Sequence, residues 1–247
     1  MKNLLFLVIL LVSHAVIAQE TETRKVSSFS KLEAGGSFDV IIEKGSENVI
    51  TIEAKGVDPQ KIITEVRGDV LKVYLEKGNY RNIHATVYIT YENLEAISSS
   101  GSGNMISKSD LSAPEFSINN SGSGNLKSQG NIKTTHLSFN LSGSGNCELA
   151  SLETEDFALT LSGSGNFKAA SGYATRFSIH KSGSGNIDAF EVKSDLCTVS
   201  ASGSGNISLY ANKSIEGNIS GSSNINYQGD AMVSKVKVSG SGKIIRH

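Results

Sequence analysis

Apolar and polar residues alternate in short runs along most of this chain, and the runs return at a nearly constant interval. The run Leu-Ser-Phe-Asn-Leu at 137–141 is followed by Phe-Ala-Leu-Thr-Leu at 157–161. Alternation with a period of two is typical of a β-strand that buries one of its faces. Because the pattern repeats about every 20 residues, it indicates a solenoid in which one unit per period stacks on the next.

A four-residue tag, Gly-Ser-Gly-Asn, follows each of these runs. It begins at Gly101, Gly122, Gly143, Gly163, Gly183 and Gly203, and altered copies begin at Gly221 and Gly240. A circuit of about 20 residues at ~3.3 Å per residue holds short strands and tight corners but leaves no room for a long helix. The sequence therefore predicts an all-β fold, a right-handed parallel β-helix of about 20-residue coils, the hand being that of most parallel crossovers.

Equivalent positions in successive periods form columns of apolar residues. The column directly after the tag contains Met105, Leu126, Cys147, Phe167, Ile187, Ile207 and Ile225. We expect these side chains to stack inward on successive coils. Cys147 and Cys197 fall in different columns two coils apart, which is ~10 Å along the axis at ~4.8 Å per coil. A disulfide needs Cα atoms within ~7 Å, so both cysteines are predicted to be free and buried.

The tag itself is interpreted as a structural corner. Its glycines permit a positive φ and let the backbones of adjacent coils approach each other. Its asparagine can pair with the asparagine above and below, as amide ladders do. We therefore predict a structural ladder formed by Asn104, Asn125, Asn146, Asn166, Asn186, Asn206 and Asn224. A polar strip that presents a surface to a glycan is the alternative.

The chain is predicted to contain one folded domain behind an export signal. Met1 to Ala18 has a lysine at its start, a short apolar core and small or apolar residues at its end, which is typical of a signal peptide. A membrane anchor is the alternative, although the apolar run is short for a span. The following segments are a disordered leader at 19–28, a tag-free β-rich cap of hairpins or first coils at 29–97, and the tagged coils at 98–247.

Charge and composition exclude several classes of protein. The 23 basic and 24 acidic residues give a net charge of −1. The chain therefore lacks the excess of positive charge that binds nucleic acid or anionic lipid. No apolar run after residue 18 approaches the ~20 residues of a membrane-spanning helix. We therefore expect neither a nucleic-acid partner nor a membrane span in the mature chain.

Residues that could carry chemistry are scattered rather than clustered. Glu153, Glu155 and Asp156 lie together in what the pattern predicts to be a solvated polar turn, and His136 and His180 fall in different columns. The sequence thus predicts no enzyme, no cofactor and no metal site. A carboxylate pair on adjacent coils would instead favour a carbohydrate-active enzyme.

Exposed aromatic side chains on the lateral faces would favour glycan binding. The candidates are Tyr173, Tyr210 and Tyr227, which stand at different columns. Charges at Lys243, Arg246 and His247 could blunt the exposed strand edge of the last coil, and end-to-end contact could instead make a dimer. A monomer and an end-to-end dimer both remain open.

The apparent signal peptide, the strand around Phe38-Asp39-Val40 and the iterated Ser-Gly-Ser-Gly-Asn resemble the auto-transporter adhesin head domain family, also called the GIN domain family. The resemblance extends from about Phe29 to Ile244. It implies a β-helical exported domain of the Gram-negative envelope with a proposed role in adhesion, and it carries over no catalytic residues.

Together these observations predict a non-enzymatic exported envelope protein, located in the periplasm or on the outer cell surface. We expect an adhesin-like module that recognises a cell-surface glycan or an envelope protein through a face of the solenoid. A structural periplasmic protein without a dedicated ligand and a carbohydrate-active enzyme are the alternatives.

Overall fold

The computed structural model describes residues 20–247, so the predicted signal peptide at 1–18 lies outside the described residues. The described chain is a β-solenoid of about eight turns with coils of about 20 residues. This confirms the predicted all-β solenoid.

The tag-free part combines coils with hairpins. Its elements are β1 (Glu20–Lys25), β2 (Lys31–Gly35), β3 (Asp39–Lys44), β4 (Val49–Lys55), a 3-10 helix (Pro59–Lys61), β5 (Ile62–Arg67), β6 (Val70–Leu75), β7 (His84–Tyr91) and β8 (Ala96–Ser99). Strand β2 pairs in parallel with β6 and β8, and β3 pairs in parallel with β7. Strand β4 is antiparallel to β1 and β7, and β5 is antiparallel to β6. Both architectures that the sequence left open for 29–97 therefore occur.

The prediction of a disordered leader at 19–28 is wrong for its first half. Strand β1 pairs with β4 along its whole length, from Glu20 opposite Ala54 to Lys25 opposite Val49. The guanidinium of Arg24 donates hydrogen bonds to the carbonyl oxygens of Ile62, at 2.6 Å, and Pro59, at 2.9 Å. Long-range pairing of this kind orders a segment whose local composition is polar.

The tagged part contains fifteen strands joined by tight corners. They are β9 (Met105–Ser107), β10 (Leu111–Ser112), β11 (Glu115–Asn120), β12 (Leu126–Lys133), β13 (His136–Leu141), β14 (Cys147–Leu161), β15 (Phe167–Ala169), β16 (Gly172–Lys181), β17 (Ile187–Ala189), β18 (Val192–Gly203), β19 (Asn206–Tyr210), β20 (Ser214–Gly221), β21 (Asn224–Gln228), β22 (Met232–Gly240) and β23 (Ile244–Arg246). Up to the last coil, formed by β22 and β23, these strands pair in parallel with the equivalent strand of the next coil, as β14 does with β16 and β16 with β18.

The core is a stack of inward side chains in register. Leu137 lies opposite Phe157, which lies opposite Phe177, and all three are buried. The rings of Phe157 and Phe177 stack with centroids 4.6 Å apart and an angle of 6° between their planes. The columns deduced from the sequence are therefore columns of the core, and their burial is the main stabilising contribution to the fold.

Glycine is required in the tag by the close approach of successive coils. A Cβ atom on Gly145 would lie 1.9 Å from the carbonyl oxygen of Gly124, the equivalent glycine one coil earlier. Positive φ, the other expected reason, does not apply to most copies. Among the described tag glycines it occurs only at Gly205 and in the altered copies at Gly221 and Gly240.

Both cysteines are buried and free, as predicted. Burial raises the pKa of each thiol to about 11. The Sγ atom of Cys147 accepts a hydrogen bond from the side-chain amide of Asn120 at 3.4 Å. Because the thiolate is the reactive form, neither side chain is suited to nucleophilic chemistry in the folded protein.

Candidate functional site

The tag asparagines lie one above another along an edge of the solenoid. The backbone N–H of Asn166 donates to Oδ1 of Asn146 at 3.0 Å, and its side-chain amide donates to the same oxygen at 2.9 Å. Asn186 repeats both bonds on Asn166, at 2.9 and 3.0 Å. From Asn104 to Asn166, each side-chain oxygen thus accepts both the backbone N–H and the side-chain amide of the next asparagine, which differs from a ladder of side chains alone. Oδ1 of Asn186 accepts the backbone N–H of Asn206, and Oδ1 of Asn206 accepts the side-chain amide of Asn224.

At each end of the ladder, the partner of the last asparagine is a residue of another type. Its first acceptor is Oδ1 of Asp39, which receives the backbone N–H of Asn104 at 2.7 Å. At its other end the backbone N–H of Lys243 donates to Oδ1 of Asn224 at 3.1 Å. Because these oxygens already bind the adjacent corner, the ladder offers a ligand few unoccupied acceptors.

The three candidate tyrosines do not form one cluster. Tyr173 is exposed at 43%, whereas Tyr227 is partly buried and packs against the core. Tyr227 lies opposite Leu209, and Tyr210 lies opposite Gln228, so these two belong to different columns. Tyr173 is therefore the one candidate whose ring stands open on a lateral face.

Tyr173 lines a corner groove of about 490 Å³ formed where β10, β12, β14 and β16 turn between two faces. We define the corner groove by Pro114, Lys133, Thr135, Glu153, Glu155 and Tyr173. Lys133, Glu153 and Tyr173 are consecutive members of one outward column. The lining therefore combines an aromatic ring, hydroxyl groups and charges of both signs on a rigid strand framework.

The acidic group beside this groove lies within a strand and not in a turn, contrary to the sequence prediction. Glu153, Glu155 and Asp156 belong to β14, which continues through the corner because Thr154 turns inward. The hydroxyl of Thr154 donates to the carbonyl oxygen of Thr135 at 2.9 Å. A polar residue that satisfies its hydroxyl at the corner lets the strand bend without ending.

Ion pairs neutralise much of the charge at this site. Nζ of Lys133 lies 3.4 Å from Oε2 of Glu153. Asp156 contacts Nδ1 of His136 at 3.0 Å, and it receives a bidentate pair of hydrogen bonds from the guanidinium of Arg176. The hydrogen bond from Arg176, more than its charge, lowers the pKa of Asp156. Asp156 is therefore ionised at neutral pH and is a poor proton donor.

The histidines are separated, as their columns predict. His136 lies opposite Asp156, whereas His180 lies opposite Thr160. Between residues 20 and 247, no group of three or more histidine, cysteine or acidic side chains is arranged to hold a metal ion. The same part of the chain contains no helix with the length and hydrophobicity needed to cross a bilayer.

Sequence reasoning missed one buried charge. Lys181 stands in the inward column between Leu161 and Ala201 and is 2% exposed. Its Nζ binds the carbonyl oxygens of Gly183, at 2.8 Å, and Ser204, and lies 3.3 Å from Oγ of Ser223. Ser223 replaces glycine in the altered tag. A lysine in an apolar column together with that altered tag was the available signal.

A family model matches most of the chain, at residues 28–129 and 117–231, and is described as "Putative auto-transporter adhesin, head GIN domain". No protein of curated function matches the sequence.

Similar solved structures include a "putative adhesin" from Parabacteroides merdae, with 24% identity, a TM-score of 0.85 and coverage of 93% of this chain and 96% of that one. Another "putative adhesin", from Parabacteroides distasonis, has 22% identity, a TM-score of 0.86 and coverage of 93% and 97%. A "Putative lipid binding protein" from Parabacteroides distasonis has 28% identity, a TM-score of 0.78 and coverage of 93% and 96%. With the family model spanning nearly all coils, the chain belongs to the head GIN domain family, the one described as "Putative auto-transporter adhesin".

Proposed function

We propose that this protein is an exported, non-catalytic, adhesin-like module that binds a glycan in the corner groove. The observation that carries the proposal is the exposed ring of Tyr173 in a groove lined by threonine hydroxyls and by the Lys133–Glu153 pair. Membership of an adhesin family supports the adhesin-like and exported character. The partner would be a glycan of a cell surface or of an envelope protein.

The chemistry of the groove is suited to a carbohydrate. A sugar presents apolar C–H faces and a rim of hydroxyl groups, and an aromatic ring with a polar edge complements both. Specificity would come from the few polar groups placed around that ring, here Glu153, Glu155 and Thr135. Because the lining belongs to paired strands, these groups are already ordered before a ligand arrives, which lowers the entropy cost of binding.

The charges beside the groove favour binding over catalysis. Glycoside hydrolysis uses one carboxyl group that holds a proton and a second that is ionised. Asp156 is held ionised by Arg176, and Glu153 is paired with Lys133. An ionised Asp156 cannot serve as the proton-donating carboxyl group, which supports a non-catalytic role.

The proposal is tested by screening the purified protein on an array of oligosaccharides and measuring affinity for each glycan that is retained. Replacing Tyr173 by alanine removes the stacking surface. We expect it to weaken binding by about tenfold or more, the usual cost of losing an aromatic hot spot.

Tyr74→Ala is the matched control, because Tyr74 is exposed at 37% but lies on β6, outside the corner groove. It should leave the affinity unchanged. Failure of every glycan to bind would refute the proposed ligand class, and a loss with Tyr74→Ala but not with Tyr173→Ala would place the site elsewhere.

A further inference from the structure

The two ends of the described solenoid differ in how the core is covered. At the first end, Ile50 and Ile52 of β4 and Leu71 and Val73 of β6 are completely buried. In the last coil, Met232 is 71% exposed, Val238 is 45% exposed and Ile245 is 40% exposed. Of the seven large exposed hydrophobic residues of the described chain, Met232, Val233, Val238 and Ile245 lie in this coil.

Some of these exposed residues continue the inward columns. Val238 lies opposite Ile219, which lies opposite Ala201, and both of the earlier residues are buried. Val233 likewise lies opposite the buried Ile215. In the preceding coils each such residue is covered by the next coil. The last coil therefore presents inward-column side chains that lack this cover.

The backbone at this end is also available for pairing. Within residues 20–247, β22 pairs with β20 alone and β23 with β21 alone. At the first end, β1 and β5 likewise pair on one side, with β4 and β6, but Arg24 occupies the carbonyl oxygens of Pro59 and Ile62. A long strand with one unpaired edge is a template for an added strand.

The charge of the last coil selects the kind of partner. Residues 231–247 contain Lys235, Lys237, Lys243 and Arg246 and no aspartate or glutamate. In the described chain, neither Lys237 nor Lys243 has a carboxylate within ion-pair distance. At the first end the charges are paired with each other, for example Lys25 with Glu47 at 2.7 Å and Lys61 with Glu76 at 2.6 Å.

We propose that the outer edge of β22 binds an extended segment of another protein in which acidic and apolar residues alternate. The added strand would place its apolar side chains over Val236 and Val238 and its carboxylates beside Lys237, while its backbone would complete the ladder. A second copy of this chain fits less well because it would bring the same lysines together.

The test uses two ten-residue peptides, one alternating glutamate and valine and one alternating lysine and valine. Binding of each labelled peptide to the protein is measured by fluorescence anisotropy at low and moderate salt. We expect the glutamate–valine peptide to bind, to bind more weakly as salt rises, and to bind at least tenfold more tightly than the lysine–valine peptide.

Two variants locate the binding. Val238→Lys places a charge on the inward face of the edge, and Lys237→Glu reverses the selecting charge, so each should weaken binding at least tenfold. Lys108→Glu, at an exposed lysine of an early coil, is the matched control and should leave binding unchanged. Thermal unfolding of all three variants shows whether the fold is retained.

Several outcomes would overturn the proposal. They are no binding of the glutamate–valine peptide, equal binding of both peptides, or equal loss with Lys108→Glu. If Val238→Lys instead abolishes a concentration-dependent dimer seen by light scattering, the edge belongs to a second copy. If it abolishes binding to phosphatidylglycerol vesicles without any capture of peptide, the edge belongs to a lipid surface.

Discussion

At the scale of single residues, the tag glycines are fixed by the distance between coils. The missing side chain lets the carbonyl oxygen of one corner sit where the Cβ of the next would be, as at Gly124 and Gly145. Successive corners are held together because each corner also donates hydrogen bonds to the one before it. The backbone N–H of Gly145, for example, donates to the carbonyl oxygen of Gly122 at 3.3 Å.

Gly145→Ala is expected to destabilise the protein by about 3 kcal/mol or more, because a rigid backbone must move to accept the methyl group. For a chain of this size the loss corresponds to a decrease in Tm of roughly 6–12 °C, measured by circular dichroism. Gly68→Ala is the control: Gly68 has a φ of 64° and open space around its Cβ position. It should cost only about 1 kcal/mol. Equal losses would show that contact between coils is not the reason for glycine.

Lys181 is the residue whose protonation couples most directly to the fold. Burial lowers the pKa of its amine below the ordinary value. Between that lowered pKa and about 10.4, the unfolded chain therefore holds more protons than the native one. In this window the contribution of Lys181 to the free energy of unfolding increases as pH rises. Below the lowered pKa the amine is charged in both states, and the full cost of burying that charge remains.

Lys181→Leu should remove this pH dependence, because leucine already occupies the same column at Leu161. Urea unfolding between pH 7.5 and 10.5 is the measurement, and the difference between wild type and variant should shift in favour of wild type as pH increases. Lys168→Leu, at an exposed lysine of β15, should give a difference that does not change with pH. A constant difference for Lys181→Leu as well would contradict the argument.

At the scale of elements, the asparagine ladder joins corners that the strands leave unpaired. From Asn104 to Asn186, each Oδ1 receives a backbone N–H from the following coil, so the ladder satisfies donors at the corners. It therefore extends the hydrogen bonding of the parallel sheets through the corners.

Asn166→Leu should destabilise the protein by about 1–2 kcal/mol, because the backbone N–H of Asn186 loses its acceptor. The midpoint of thermal unfolding measures the loss. Asn218→Leu is the matched control, since Asn218 is exposed on β20. It should change the midpoint little. If Asn166→Leu unfolds at the wild-type temperature, the ladder contributes nothing to stability.

At the scale of the whole molecule, the corner groove and the edge of β22 lie at different places on one solenoid. A glycan bound at the groove and a strand added at the edge would not compete for the same residues. Which of them acts in a cell depends on where the protein resides.

An adhesin must be reachable from outside the cell. Antibody raised against the folded protein should therefore label intact cells, with permeabilised cells as the positive control and a periplasmic enzyme as the negative one. Labelling only after permeabilisation would rule out surface adhesion and would direct the search to partners in the periplasm.

The sequence by itself determined the solenoid. The columns after the tag and the alternating runs are local patterns whose period equals one circuit, so the inward residues, including Cys147 and Cys197, could be identified without coordinates. The family could also be recognised from the iterated tag, because the same corner recurs in every coil.

Only the tertiary structure decided the features that depend on contacts between distant segments. The pairing of β1 with β4 and the inward turn of Thr154 within β14 have no local sequence pattern of their own. The altered tag marks the surroundings of Lys181, but only the stacking of three successive corners shows that they bind its amine. The corner groove is of the same kind, since Lys133, Glu153 and Tyr173 come together only because three coils stack in register. Periodicity fixes which side chains point inward, whereas stacking decides which outward side chains become neighbours.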